Sequence, residues 1–266
     1  MPEPIAIRAS SMGELFDCPA RWEAKYIRGL RLPTSSAAQL GTAVHAGTAL
    51  YDTSVMQGAS LTPDECAGAV VDAIYKPEFE VDWSETSQSE AEKIAIPLHK
   101  MYCKEIAPRQ NYKAIEAKCD DLTIQDLGIT LTGTVDRVRE TEEGYGIADL
   151  KTGKTAIAAD GTVKTQGHTL QIGVYEILAQ AATGLPMQAP AQIIGLQTAK
   201  TDRGRRVGTG EIAMAREVLL DDEDGSPGFL RMAAKLVHAS DFYGNPRSSL
   251  CGEKFCPIFR VCRWRK

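Results

Sequence analysis

The chain has 266 residues, of which 43% are hydrophobic and 24% charged, enough apolar material for the core of one large domain or two small ones. Thirty Lys and Arg against 35 Asp and Glu leave a formal charge of −5, which excludes a free-standing basic DNA coat but not a local basic groove. No run approaches the roughly 18 apolar residues of a membrane span, and MPEPIAIRASS has no basic segment followed by an apolar one. The expectation is a cytoplasmic chain with no membrane contact.

Ser11-x-x-Glu14 has the form of a capping box and predicts a first helix. Cys18-Pro19 interrupts it, because the residue before a proline avoids helical geometry, and the proline can open a second helix over 20 to about 28. Residues 37–57 predict a third helix with Leu40, Val44, Ala46, Leu50 and Val55 as apolar positions. Thr62-Pro63-Asp64-Glu65 is a second capping box, opening a run in which Cys66, Val70, Ala73 and Ile74 share a face. A further long helix is predicted over 84–106. Residues 1–108 therefore form a mostly helical portion.

The period then changes. Tyr112–Ile124, 129–139 and 145–152 alternate like strands and are joined by turns at Asp126-Leu127-Gly128 and Glu142-Glu143-Gly144. A helix over 169–182, an apolar strand over 191–198, a polar turn at 201–204 and a helical stretch over 210–240, broken at 221–228, complete the order. This order predicts an α/β fold with a central mixed β-sheet flanked by helices. The parts are a helical portion over 1–108, a sheet core over 109–200, and a helical, cysteine-bearing portion over 201–266, read together as a single domain.

The densest chemistry lies in Gly133-Thr-Val-Asp136-Arg137 and Gly146-Ile-Ala-Asp149-Leu-Lys151-Thr-Gly153. On a strand, residues i and i+2 share a face, so Asp149 and Lys151 project together while Ala148 and Leu150 face the opposite layer. Asp136 is expected to end the preceding strand, which a hairpin brings alongside. Two carboxylates and an ammonium beside them suit Mg²⁺ or Mn²⁺, which take carboxylate, water and phosphate oxygens. A bare D-x-K is equally the pattern of a surface salt bridge. His45, on a helix among small apolar residues, is hard to justify by packing, and Gln171 and Tyr175 stand i, i+4 on the helix after the hairpin. Gly153-Lys154-Thr155 resembles the end of a P-loop, but Ala148 stands where its first glycine is required.

In order along the chain, G-T-x-x-H, G-x-x-D-R, D-x-K-T-G and Q-x-x-x-Y resemble the RecB-type branch of the PD-(D/E)xK nuclease superfamily, from about Ser10 to Cys262. The resemblance implies a restriction-endonuclease-like fold and a metal held by His45, Asp136, Asp149 and the backbone carbonyl of Leu150. Catalysis is then assigned to Asp136, Asp149 and Lys151. Gln171 and Tyr175 match the motif that helps hold the nucleic acid. Glu116 resembles an acidic residue that many relatives carry on the first strand, where it holds a second metal or supports the first ligands.

Seven cysteines in a chain with no secretory signal favour metal or cluster ligation over disulfides. Cys66, Cys103 and Cys119 fit apolar faces and read as core. Cys18, Cys251, Cys256 and Cys262 offer four thiolates for zinc or an iron–sulfur cluster. RecB-type nucleases such as AddB and the CRISPR-associated exonucleases carry one cysteine before the nuclease core and three after it. The resemblance therefore implies a [4Fe-4S] cluster, although the four residues between Cys251 and Cys256 exceed the usual two. His99, His168 and His238 read as core or solvated.

Basic residues are local: Arg203, Arg205 and Arg206 in one turn, and Arg260, Arg263, Arg265 and Lys266 at the tail. Each run is equally a solvated surface. Trp264 and Tyr175 are candidates for base stacking as well as for packing. The resemblance implies a metal-dependent DNA exonuclease that acts on ends or single strands in recombination, replication or repair, in a phage or prophage setting, beside a helicase or recombination protein. Two alternatives are a non-catalytic DNA-binding or assembly subunit of a helicase–nuclease complex and a redox-sensing iron–sulfur protein.

Overall fold

The structure is a computed structural model that describes residues 3–59 and 61–265. Its elements are β1 (Ile5–Arg8), α1 (Met12–Asp17), α2 (Pro19–Tyr26), β2 (Thr34–Ser35), α3 (Ser36–Met56), α4 (Pro63–Tyr75), β3 (Val81–Asp82) and α5 (Gln88–Glu105). There follow β4 (Tyr112–Ile124), β5 (Ile129–Thr141), β6 (Gly144–Gly153), α6 (Thr169–Thr183), β7 (Ala191–Gln197), β8 (Arg206–Ile212) and α7 (Phe229–Ala239). Among the described residues no helix is long and apolar enough to cross a membrane.

Local signals set most boundaries. At α4 the Thr62 hydroxyl accepts the Glu65 N–H at 3.2 Å while the Glu65 carboxylate accepts the Thr62 N–H at 2.7 Å. Ser11 behaves differently. A 3₁₀ turn over Ala9–Ser11 leads directly into α1, so Ser11 is already helical in its backbone and caps nothing. Its hydroxyl donates to the Arg8 carbonyl and accepts the Trp22 indole N–H at 3.0 Å, and Glu14 pairs with Arg21 and Lys25. Tertiary partners took both ends of the expected capping box.

Four strands depart from the sequence reading: β2 and β3, which pair in parallel as a separate two-stranded sheet, and β1 and β8. β1 was not anticipated; its parallel partner is Ile129–Thr132 of β5, far along the chain. The helix expected from 210 is instead the end of β8, whose seven residues pair antiparallel with β7. Gly208 and Gly210 leave room there for Val163, 3.2 Å from where a Cβ would stand in each case. Beyond Ile212 the chain forms turns, with one 3₁₀ turn at Glu217–Leu219, until α7, and Ala215 and Leu219 of this segment are buried against α6.

The strands form a mixed sheet in the order β1-β5-β6-β7-β8, with β4 along the other edge of β5. One side of β5 is shared in succession: β1 takes Ile129–Thr132 and β6 takes Arg137–Thr141. Between them, Gly133 to Asp136 lack a ladder partner on that side, and the sheet opens. Asp136 therefore lies inside β5, not at its end as the sequence reading had it, and it stands at the lip of this gap.

Helices cover both faces. On one, Ile7, Met12, Leu15, Val135, Ile147, Ile193, Ile172, Leu178 and Val237 pack together with α1, α6 and α7. On the other, Ala148, Leu150, Ile194 and Leu196 pack under Leu40, Val44, Val70, Leu98 and Tyr102 of α3, α4 and α5. Neighbours such as Ile147 and Ala148 fall on opposite faces, as strand alternation requires. Each such aliphatic side chain, fully buried, contributes about 1.5–3 kcal/mol. This is the restriction-endonuclease-like arrangement expected: a central mixed sheet between helical layers.

Candidate metal centre

Strand register aligns the acids. Ile115 and Ala117 pair with Arg137 and Val135, so Glu116 stands opposite Asp136. The β5–β6 ladder ends at Arg137 and Ala148, one step before Asp136 and Asp149. There the Asp136 carboxylate takes over, accepting the Leu150 N–H at 2.9 Å. The Leu150 carbonyl meets His45 Nε2 of α3 at 3.0 Å. A carbonyl only accepts, so Nε2 carries a proton. His45 Nδ1 then faces Asp136 Oδ2 at 3.6 Å, an approach that a cation between them would favour.

Among the described residues, His45, Glu116 and Asp136 are the one group of three or more His, Cys, Asp or Glu whose ligand atoms lie within 4.8 Å of one another. Burial of the carboxyl end, then repulsion from Asp136, holds the Glu116 carboxyl above its ordinary range, although 44% of its side chain stays open to solvent. Both causes favour an added positive charge. The donor set, one imidazole and carboxylate oxygens at a sheet opening, fits a hard divalent ion.

Asp149 is 1% exposed, and its Oδ2 lies 2.6 Å from Lys151 Nζ. The pair is an ion contact, and Oδ2 is buried with no hydrogen-bond partner. Burial pushes the Asp149 carboxyl up to about 6 against the pull of Lys151. Lys151 in turn donates to Gln171 Oε1 at 3.0 Å, and Gln171 Nε2 donates to the Tyr175 hydroxyl at 3.1 Å. Gln171 and Tyr175 thus project from one face of α6 as expected, and that face meets Lys151. Tyr175 is 6% exposed and packs beside Gly133, where a Cβ would stand 3.0 Å from its ring, so it offers no face for base stacking.

Three residues around the site were not singled out by sequence. Arg137, fully buried, donates from Nε to Asp52 at 2.8 Å and from Nη1 to Glu116 at 3.0 Å and to the Asp136 carbonyl at 2.7 Å. Its Nη2 reaches the Thr48 hydroxyl at 3.3 Å. The available signal was the spacing of His45, Thr48 and Asp52, i, i+3 and i+7 on one helix face, with a carboxylate where an apolar residue belongs.

Cys18, Cys251, Cys256 and Cys262 line one cavity between α2 and the tail, together with Arg21, Ile258 and Trp264. Burial raises the Cys256 thiol, and its neighbours Cys18 and Cys262 add to this. Four thiols around one cavity fit a thiolate-held group. Cys66, Cys103 and Cys119 are buried in the core as expected.

The basic turn is partly structural. Arg205 is buried and ties the turn to Ala199, Lys200 and Asp202, and Arg206 binds the carbonyls of Ala158 and Ala159. Arg203 is exposed. At the tail Arg260 pairs with Glu253, while Arg263 and Arg265 lie over the rings of Trp264 and Phe259. Lys266 lies outside the described residues. Trp264 is half-exposed and rests against Gly244.

Comparison with known proteins agrees with this geometry at the level of family. The family model of the PD-(D/E)XK nuclease superfamily matches residues 8–263. Among solved structures, one described as "Crystal structure of SSO0001" is similar with a TM-score of 0.44 and 12% identity, covering 100% of this chain and 89% of that one. No curated protein matches. The chain belongs to the PD-(D/E)XK nuclease superfamily.

Proposed function

From that membership, which makes this a metal-dependent nuclease, we propose a DNA exonuclease of the RecB type that acts on ends or single strands in recombination, replication or repair. Residues 1–266 form a single nuclease domain in this reading. The observation that carries it is the meeting of His45, Glu116 and Asp136 within 4.8 Å beside the buried Asp149–Lys151 pair. His45, Asp136, Asp149 and the Leu150 carbonyl would hold Mg²⁺ or Mn²⁺, with Glu116 supporting these ligands or taking a second ion. Such an ion would supply a water of lowered pKa and positive charge beside the scissile phosphate.

The chain's own groups supply the rest. Lys151 presents its ammonium at the edge of the site, where it orients the attacking water and stabilises the extra negative charge of the pentacovalent phosphorus. Gln171, steadied by Tyr175, accepts from that ammonium and fixes it where it also meets Asp149. The exonuclease reading rests on the four ordered motifs. The cysteine cavity is read as the seat of a [4Fe-4S] cluster; four thiols around one cavity, one from before the sheet core and three from after it, support it. Its role is structural, tying α2 to the tail.

Digestion of end-labelled linear oligonucleotides, single- and double-stranded, against covalently closed circles tests this. The expected result is Mg²⁺- or Mn²⁺-dependent shortening from the ends, with circles intact. Cleavage of circles at the same rate would reject the exonuclease reading, and no cleavage of any DNA would reject the enzyme.

A further inference from the structure

Resting on the reading of His45, Glu116 and Asp136 as the metal site, we infer that the buried Arg137–Asp52 pair positions that site, setting α3 against β4 and β5 so that the ligands converge. His45 and Glu116 come from different elements, α3 and β4, and neither shares a backbone ladder with the other. Something must fix the helix in rotation and translation over the sheet. Arg137 is the group that touches all parties.

The contacts show how. From β5, next to the ligand Asp136, the Arg137 guanidinium spends donors on three elements: Asp52 and Thr48 of α3, Glu116 of β4, and its own strand. Asp52 lies two turns beyond His45 on the same helix face. Thr48, between them, donates its hydroxyl to the His45 carbonyl at 3.0 Å while accepting from Arg137. Asp52 also accepts from the Tyr102 hydroxyl at 2.7 Å, and Tyr102 meets the Tyr112 hydroxyl at 3.0 Å, so α5 and the start of β4 hold it too. A planar fork of five donors locked by burial permits few alternative placements.

Glu116 supplies the second observation. Its φ is +46°, the left-handed region, inside a strand and in a residue that rarely adopts it. The hydrogen bond from Arg137 Nη1 holds the carboxylate on the side of Asp136 and His45. The strained backbone and the buried arginine together aim an otherwise free side chain at the ion site.

The test replaces both charges at once. In D52L/R137M the pair becomes apolar residues of similar volume, an exchange that buried pairs commonly tolerate in stability. Mn²⁺ binding to the full chain, without nucleic acid, is followed by the electron paramagnetic resonance signal of the free ion, next to cleavage rate and thermal unfolding. The expected result is a folded protein whose Mn²⁺ Kd rises about ten- to a hundredfold, with cleavage falling in parallel. A folded D52L/R137M that binds Mn²⁺ and cleaves as the parent does would overturn the inference. If that variant does not fold, T48V decides, since it removes one acceptor without adding a charge. A rise of about threefold in Kd is expected, and an unchanged Kd would overturn it. His45→Ala serves as the separate control: loss of Mn²⁺ binding there with a normal D52L/R137M condemns the positioning role alone, whereas normal binding in His45→Ala condemns the metal site itself.

Discussion

At the carboxylate centre every contributing side chain hangs from a paired strand or a long helix, and the Leu150 peptide is gripped from both sides by Asp136 and His45. The cysteine cavity is made otherwise. Cys18 sits at the break between α1 and α2, and its three companions come from a tail whose one regular element among the described residues is a turn at Phe259–Val261. A few polar contacts hold that tail: Asn245 to the Asp17 carbonyl, Ser248 to Asp17, and Arg21 to Ser248. The first site is a product of the core. The second is joined by a few side-chain contacts between the tail and the segment around α1 and α2.

The largest effect separates chemistry from stability. Asp149→Ala or Lys151→Ala is expected to cut cleavage by at least about 100-fold, while the thermal midpoint stays near that of the parent. Asp149 contributes little to folding, because its burial is barely compensated. Full activity in either variant would remove both from the catalytic set.

Cys18→Ala should do the reverse at the tail. Anaerobically purified parent protein is expected to be brown with bound iron, and the variant colourless. Loss of a link closing over 200 residues of chain should lower the thermal midpoint by about 5–10 °C. Zinc without iron on metal analysis would replace the cluster with a different thiolate site.

The smallest effect probes the frame both sites share. Glu176 of α6 is 4% exposed and accepts the Arg216 N–H, and burial pushes its carboxyl up to about 7 despite Arg216, with Glu217 adding to the rise. A raised acid binds its proton more tightly when folded. Its stabilising effect is therefore complete below the unfolded value near 4.5, falls as pH rises to about 7, and is absent above. Glu176→Gln should gain about 2 kcal/mol at pH 8 and nothing at pH 4.5, read as the difference in urea midpoints. An equal shift at both values would mean the carboxyl is ionised throughout.

Periodicity and punctuation were strong guides where a segment's partners are close in sequence. The hairpin β4–β5–β6 and the start of α4 at Thr62 follow from alternation, turns and a capping box that act over a few residues. β1 and β8 were missed because their definition is a partner strand, and an isolated four- or seven-residue run carries too little periodicity to declare itself. The candidate ligands could be read because motif residues are chemically conspicuous: an imidazole in an apolar helix, and two acids and a lysine at strand parity. Arg205 and Tyr175 stayed open between two readings for the converse reason, since charge and aromaticity look the same whether they face solvent or lock a turn.

By itself, then, the chain's order of residues determined most of the helices and the β4–β5–β6 hairpins, that Asp149 and Lys151 share a strand face, and which chemistry they favour. Only the folded molecule decided that the sheet opens at Asp136 and that Arg137 is spent inward on Asp52 and Glu116. The division has one physical cause. Local conformation is set by neighbours a few bonds away, whereas the pairing of a buried charge or an orphaned strand edge is settled by whichever distant group removes it from water at least cost.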